Sequence, residues 1–484
     1  MAQDLESRLD RQNRYPGWNQ DVLDNAAITL IGSGPLCHFV ATALTGLQVG
    51  SVKIVDKSRF NGTPQNEFLY LDNPIPAAES KVYVLKDILS TMNGKMDIDG
   101  IHSTFVGQLV KDSNVLVDLT NNPGSKSRSF RFAVQQKILY ISASVDRTKG
   151  TMISYDPNNP KQNQPAEGDF MHVEFKGQAQ GAIPSGVIAG AVVDDIRRML
   201  FKLSPGESAA TNRIYYNLLS DARFKPTDDH EKADGSYYKD RKIAVIGAGA
   251  LGNFVGINLA LLGVGNVTFI DYDIISNSNL NRQPLFSFYD SVDRKKVDVI
   301  TDILRKINPK VKFEGIDGKI VNSNEELSDE DKKKGVKPVD LSYLFEFDAI
   351  ISCGDNPDVR LTLNDYVSRL RQTQNKVIPL LDGGTSPKNG NAAVYIPGIN
   401  ACIDSQLGYS AMPRIKQRCA ADDHAPSVVY TNLTIGSLLC GELSLVLAPG
   451  MPQMPIKNPL FYTGISASRF GLQVIESQRC ELCR

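Results

Sequence analysis

The sequence predicts an α/β protein: two tandem domains, each a largely parallel sheet with helices on both faces, packed as an intrachain pseudo-dimer. Three observations carry this. The chain has 484 residues, enough for about two to four domains. Its two halves repeat one another. Each half alternates strand-like apolar runs with helical patterns, and that alternation gives a parallel sheet covered by helices.

The repeat is read from paired segments. Residues 25–57 (NAAITLIGSGPLCHFVATALTGLQVGSVKIVDK) match 240–273 (DRKIAVIGAGALGNFVGINLALLGVGNVTFIDYD). Each has an apolar run, a glycine-rich turn, an apolar helix-length segment, a second apolar run and an aspartate. Lys81-Val82 echoes Lys296-Val297, and LTNNP at 119–123 echoes SCGDNP at 352–357. IPSGVIAGAVVDDIRRML at 183–200 resembles APSVVYTNLTIGSLLCGELSL at 425–445, and YNLLSDARF (216–224) echoes YTGISASRF (462–470). A period of about 240 residues far exceeds the roughly 20–50 of a solenoid. The repeat therefore gives two fused homologous domains, 1–225 and 226–484. The boundary falls in the charged, turn-rich stretch 221–240, and a second polar stretch, 321–340, reads as a solvated surface insertion.

Strands are expected at ITLIG, VKIVD, VLVDL and ILYISAS, then at IAVIG, VTFID, AIISC and VIPLLD. Lysine plus arginine is 53 and aspartate plus glutamate 54, a formal charge of −1. That balance argues against a nucleic-acid partner, whose footprint is a basic excess. No run of eighteen apolar residues and no apolar leader core is present, so neither a membrane span nor a signal peptide is expected. Seven cysteines, an odd number, suit a cytoplasmic chain with free, catalytic or metal-bound thiols rather than a disulfide framework.

The turn IGAGALG places Gly247, Gly249 and Gly252 between a strand and a helix. Glycines allow close backbone approach, and the helix N-terminus offers unpaired N–H groups to a phosphate. Asp271 ends the next strand, where a carboxylate can hold a ribose hydroxyl. A nicotinamide oxidoreductase would share these features. The residues beyond Asp271 favour phosphate chemistry: Asp273, Asn279, Arg282, Gln283 and Lys296, then Asp355 and Asn356 after the fourth strand. Cations neutralise a triphosphate, and an aspartate can hold Mg²⁺.

These motifs carry a resemblance. GAGALG, FIDYD, SNLNRQ, RKKV, SCGDNPDVR and the terminal CELC resemble the ThiF/MoeB-type adenylyltransferases and the adenylation domains of ubiquitin-activating enzymes. The resemblance implies two Rossmann-like, ThiF-type domains. It implies ATP-Mg²⁺ adenylation of the C-terminal glycine of a ubiquitin-like protein. By the same resemblance, Gly247, Gly249 and Gly252 cradle phosphates and Asp271 holds the ribose. Asp273, Asn279, Arg282, Gln283 and Lys296 surround the phosphates, with Asn356 beside them, and Asp355 binds Mg²⁺. Arg11, in the opening RLDRQNRYPGWNQDVL, corresponds to an arginine that reaches ATP across the interface of the two halves.

The first copy departs from the motif. Cys37 stands for Gly252, Ser58 for Asp273, Glu67 for Arg282 and Asn121 for Asp355. A glutamate beside a triphosphate adds repulsion, so this half is expected to be inactive. One active and one inactive half is the arrangement of ubiquitin-like activating enzymes.

The resemblance makes Cys419 a candidate thioester nucleophile, which would pass the ubiquitin-like protein to a conjugating enzyme. Arg418 and His424 favour a thiolate there; Asp422 and Asp423 oppose it. The resemblance also implies a four-cysteine zinc site, for which Cys480, Cys483 and Cys402 are candidate ligands, with Ser405 standing where the family has a fourth cysteine. Cys440 reads as core, and Cys37 and Cys353 carry no assigned chemistry. The rival readings are a sulfur-carrier adenylyltransferase, of the molybdopterin, thiamine or tRNA-thiolation type, and a non-catalytic scaffold.

Overall fold

The computed structural model describes residues 7–61, 66–70, 76, 78–157, 167–171, 175, 179–202, 213–220, 223–225, 238–288, 291–322, 327–411, 425–448, 459–463 and 470–472. The first half runs α1 (Asp10–Asn13), α2 (Gln20–Asp24), β1 (Ala27–Ile31), α3 (Pro35–Leu47), β2 (Ser51–Val55), α4 (Lys81–Met92), β3 (Asp97–Ile101) and β4 (Val115–Asp118). It continues α5 (Pro123–Gln136), β5 (Leu139–Val145), β6 (Lys149–Tyr155), α6 (Glu167–Met171), α7 (Ala182–Phe201) and β7 (Ile214–Asn217). The second half runs β8 (Lys242–Ile246), α8 (Ala250–Leu262), β9 (Asn266–Asp271), α9 (Lys296–Ile307), β10 (Lys312–Asp317), β11 (Lys319–Val321), α10 (Asp329–Lys333), β12 (Pro338–Asp340) and β13 (Ala349–Ser352). It ends α11 (Pro357–Gln374), β14 (Leu380–Thr385), β15 (Asn389–Tyr395), α12 (Ile403–Leu407), α13 (Val429–Leu447), β16 (Leu460–Thr463) and β17 (Phe470–Leu472).

The repeat is visible in the sheets. The first is ordered β3-β2-β1-β4-β5-β6-β7 and the second β10-β9-β8-β13-β14-β15-β16-β17. Five strands of each run parallel, and the last two or three are antiparallel. The strands form where branched apolar residues run together: Ile243, Ala244 and Val245 of β8 are wholly enclosed, as strands covered on both faces must be. Helix α9 shows the complementary pattern. Val297, Ile300, Ile303 and Leu304 are buried while Asp298 and Arg305 face outward, an apolar stripe at helical spacing. Asn122 and Asn356 cap α5 and α11, each followed by proline at the first helical position, which stops the preceding strand and starts the helix at a fixed point.

The halves meet along α7 and α13, and one apolar core runs through both, including Val187, Val192, Leu433 and Leu439. The two helix backbones approach closely. A Cβ on Gly190 would lie 1.9 Å from Thr434 Oγ1, and one on Gly186 2.0 Å from Ser437 Oγ. Arg223 and Glu442, both buried, form a forked ion pair across the junction, Nε to Oε1 at 2.8 Å and Nη2 to Oε2 at 3.2 Å. Helix α13 is long and apolar enough to cross a membrane by length and composition, yet 94% of it is enclosed by protein; it is the core helix of the second half.

The stretch 321–340, expected as a solvated surface insertion, carries local secondary structure. Its ends form a short parallel ladder, β11 with β12, and α10 lies between, held by Lys319 Nζ to Asp331 Oδ2 at 2.7 Å. Ser328 caps α10 and three acidic residues fill its first turn, so the same polar composition that reads as loop also supports one helical turn.

Candidate active site

Strand order reverses between β8 and β13, and in open α/β sheets ligands bind at the carboxyl ends of the strands at such a point. Two loops border it. The first is the glycine turn after β8. Gly247 has φ +103°, which only glycine adopts readily, and its N–H donates to Ile270 O at 2.9 Å. A Cβ on Gly247 would lie 3.0 Å from the Gly354 nitrogen, and one on Gly252 only 2.2 Å from Gly247 O. The second loop, Cys353 to Asn356, comes after β13 and touches the first. Gly249, the N-cap of α8, and Gly354 both face open space, with no described atom within 4 Å of where a Cβ would stand. The N-terminus of α8 therefore opens onto a space that a phosphate can enter.

The charged residues gather beside this turn. Asp271 Oδ2 accepts the Ala248 N–H at 2.7 Å, and Oδ1 accepts the Asp273 N–H at 2.8 Å, so the carboxylate braces the turn. Burial raises the Asp271 pKa, which Lys296 pulls back down and Asp273 pushes up further. Lys296, at the start of α9, is buried and pairs with the exposed Asp273 at 2.7 Å. Burial works against its charge, but Asp271 and Asp273 prevail and hold it above the ordinary lysine range. Arg282 and Gln283 are buried. Arg282 Nη1 donates to Ser278 O and, at 3.0 Å, to Asn281 Oδ1. Gln283 Oε1 is enclosed without a hydrogen-bond partner. The Asn279 amide oxygen accepts the Ser276 N–H at 3.1 Å, and the Asn356 amide oxygen caps α11. Asp355 is exposed at the rim.

The first half contributes directly. Helix α1 packs against the 3₁₀ turn Asn277–Asn279. Gln12, fully buried, accepts from Asn281 Nδ2 at 3.2 Å. Arg11 accepts the Ser427 N–H through its carbonyl at 3.2 Å, and its Nη1 donates to Ala425 O at 3.4 Å. Its buried Nε has no partner. Arg11 thus stands at the seam where α1, the 276–283 loop and the entry to α13 converge.

Comparison with known proteins agrees with this architecture. The model of the ThiF family matches residues 9–237 and again 232–483. The chain belongs to the ThiF family. A molybdopterin-synthase adenylyltransferase of Haemophilus influenzae is 29% identical over 264 residues, 52% of this chain and 98% of that protein. The catalytic subunit of the NEDD8-activating enzyme E1 of Schizosaccharomyces pombe is 33% identical over 166 residues, 34% of this chain and 33% of that one. A crystal structure of E. coli MccB with ATP shares 24% identity, with a TM-score of 0.39, over 52% of this chain and 68% of that one.

The first ThiF copy keeps the fold and fills the space. Gly32 has φ +104°, and Asp56 Oδ2 accepts the Ser33 N–H at 2.8 Å, as Asp271 does for Ala248. Gln180, however, lies over the N-terminus of α3. Its Oε1 accepts the Leu36 N–H at 3.0 Å and its Nε2 donates to Leu119 O at 3.1 Å. It sits 2.9 Å from where a Cβ on Gly34 would stand. Glu67, at the position of Arg282, binds Lys81 through both oxygens, at 2.6 and 2.9 Å. The Leu36 donor and the lysine are thus already satisfied. Sequence reasoning found Glu67 but missed Gln180, which lies 144 residues beyond Leu36.

Among the described cysteines, Cys37, Cys353 and Cys440 have thiols pushed upward, chiefly by burial. None is set up as a thiolate. Cys440 packs in α13 as expected, its Sγ 3.6 Å from Val255 O. Cys402 is buried and caps α12, accepting the Ser405 N–H at 3.5 Å. Cys419, Cys480 and Cys483 lie outside the described residues. Among the described residues no group of three His, Cys, Asp or Glu side chains converges as a metal site. One exposed carboxylate beside an open phosphate space still suits Mg²⁺, which binds through few carboxylates together with substrate phosphates.

Proposed function

We propose that this chain is an ATP-dependent activating enzyme for a ubiquitin-like protein, with one working site per chain. The observation that supports it is the contrast between the halves. In the second, the N-terminus of α8 is open and glycine-lined, with Lys296 and Asp355 beside it. In the first, Gln180 and the Glu67–Lys81 pair fill the corresponding space.

In this reading, the turn Gly247 to Gly252 cradles phosphates, Asp271 holds the ribose, and Asn279, Arg282, Gln283 and Lys296 line the phosphates with Asp273 and Asn356. A C-terminal glycine carboxylate attacks the α-phosphorus of ATP; the bond from that phosphorus to the bridging oxygen breaks, and pyrophosphate leaves. Asp355 would hold Mg²⁺, which would supply charge neutralisation at the phosphates. Lys296 and Arg282 add fixed positive charge in a site partly closed to water, where such charge acts strongly. Arg11 completes the ring from the first half. Cys419 then attacks the acyl carbonyl, AMP departs, and a thioester passes to a conjugating enzyme. A second reading stops at the acyl-adenylate and delivers it to a sulfur donor; the likeness to the molybdopterin-synthase adenylyltransferase supports it.

The test uses the purified chain, MgATP and a panel of ubiquitin-like proteins ending in glycine. One ATP bound per chain, pyrophosphate exchange with one panel member, and a reductant-sensitive adduct lost in Cys419→Ala are expected. Exchange without an adduct favours the sulfur-carrier reading. Absence of both ATP binding and exchange overturns both.

A further inference from the structure

Arg360 is the least conspicuous member of the motif CGDNPDVR. It sits four residues beyond the α11 cap, buried, and uses all five of its N–H donors. Nε and Nη2 both reach Gly354 O, at 3.1 and 2.6 Å, and Nη2 also reaches Gly383 O at 2.7 Å. Nη1 donates to Asp382 Oδ2 at 2.6 Å and to the Tyr409 hydroxyl at 2.6 Å. Tyr409 in turn donates to Asp382 Oδ2 at 2.7 Å. Asp382 is fully buried, and burial opposes the Arg360 charge less than Asp382 and Tyr409 support it. A guanidinium with every donor engaged is a rigid fork.

The other half offers an internal comparison. Lys126 occupies the same place on α5, four residues beyond the Asn122 cap. Its Nζ reaches Asp118 O and Ala143 O, each at 2.9 Å. Register pairs Asp118 with Ser142 there, and Ser352 with Asp382 here. The buried acid has therefore changed strands while the base has kept its position. Ala143 O corresponds to Gly383 O, so both bases tie their helix to the neighbouring strand. The difference is the turn. Gly354 O is gripped by two donors of Arg360, whereas the corresponding Thr120 is held through its N–H and hydroxyl by Asp118 Oδ1, at 3.0 and 2.6 Å. The Gly354 carbonyl and the Asp355 N–H belong to one planar peptide unit. Fixing that plane fixes where the Asp355 Cα stands and so narrows the directions its side chain can take from the backbone. Gly354 has no side chain, and no described atom lies within 4 Å of where a Cβ would stand, so no side-chain packing holds its carbonyl in place.

We propose that Arg360 is a positioning residue: its fork on Gly354 O aims the Asp355 carboxylate at the metal. This rests on the proposed role of Asp355 as the Mg²⁺ ligand. The test compares the full chain with Arg360→Lys, which keeps the charge beside Asp382 but loses the fork, and with Tyr409→Phe, which loses the hydroxyl's two bonds, to Arg360 Nη1 and Asp382 Oδ2, without touching Gly354. Two readouts are taken. The first is hydrogen exchange of amides 354–356 and 358 without nucleotide. The second is Mn²⁺ binding in the presence of a non-hydrolysable ATP analogue, monitored by electron paramagnetic resonance. In Arg360→Lys, exchange of those amides should quicken and half-saturating Mn²⁺ should rise about tenfold, the usual scale for losing a group that orients a metal ligand. Tyr409→Phe should leave Mn²⁺ binding within about twofold, since it spares the fork. Should Arg360→Lys not fold, Asp382→Asn, which weakens the anchor of the same fork, should raise half-saturating Mn²⁺ in the same direction. Unchanged exchange and Mn²⁺ binding in a folded Arg360→Lys or Asp382→Asn overturn the proposal, as does an equal effect of Tyr409→Phe. Failure of the wild-type chain to bind Mn²⁺ with the analogue overturns instead the reading of Asp355 on which it rests.

Discussion

Gly252→Ala tests the site at its tightest point. The added methyl carbon would stand 2.2 Å from Gly247 O and 3.1 Å from Gly247 C. Both are backbone atoms, so no rotamer relieves the contact. The turn must move by about 1 Å, the distance back to ordinary contact, and forced overpacking of this kind costs about 1–3 kcal/mol. Alanine returns about 1 kcal/mol of helix propensity over glycine. The net loss of stability is then about 0–2 kcal/mol. The loss of function is larger if the turn binds phosphates as proposed, because the displaced turn carries the N–H groups of that reading, and a misplacement of about 1 Å costs roughly a hundredfold. Titration calorimetry with MgATP, run beside thermal unfolding, reads both effects. The matched control is Cys37→Ala at the equivalent position of the first half, where ATP binding should stay within about twofold. A Gly252→Ala protein that binds ATP like the wild type, with an unchanged Tm, would refute the reasoning.

Three further expectations concern the buried ion pairs. Glu442→Gln leaves the Arg223 charge enclosed without its counter-charge and should cost about 3–5 kcal/mol in urea unfolding. Adding Arg223→Met should recover most of that loss, and an equal loss in the single and double variants would sink the argument. Lys126 supplies a pH test. Burial lowers its pKa to about 8, against the opposing pull of Asp118, while an unfolded lysine holds its proton to about pH 10.4. Below pH 8 both states are protonated and the cost of burying the charge is fully present. Between about pH 8 and 10.4 the folded state sheds its proton first, so stability relative to Lys126→Met rises with pH across that window. Unfolding midpoints measured at several values from pH 7 to 10 check this, and a flat difference contradicts it.

The repeat made both sheets legible, because strand order follows from the alternation of apolar runs and helices. The glycine turn and its aspartate were legible for a similar reason: they are local, and their chemistry depends on spacing along the chain. Contacts across long separations were not. Gln180 reaches the N-terminus of α3 from a segment that carries no phosphate motif of its own. Arg360 was hidden by proximity to Asp355 and Asn356, which have the more familiar chemistry. The recurrence of a base at Lys126, four residues beyond the same cap, was the available signal. Asn279 and Asn356 illustrate the opposite case. Their amide oxygens each already accept a bond from their own loop, so only part of their hydrogen-bonding capacity is left for a ligand.

The close approach of α7 and α13 has a consequence for dilution. The proposed site, drawing Arg11 from one half and Lys296 from the other, would come apart as concentration falls if the halves were separate subunits. Here both halves belong to one chain and share one apolar core, so their encounter is intramolecular and its strength does not depend on how much protein is present.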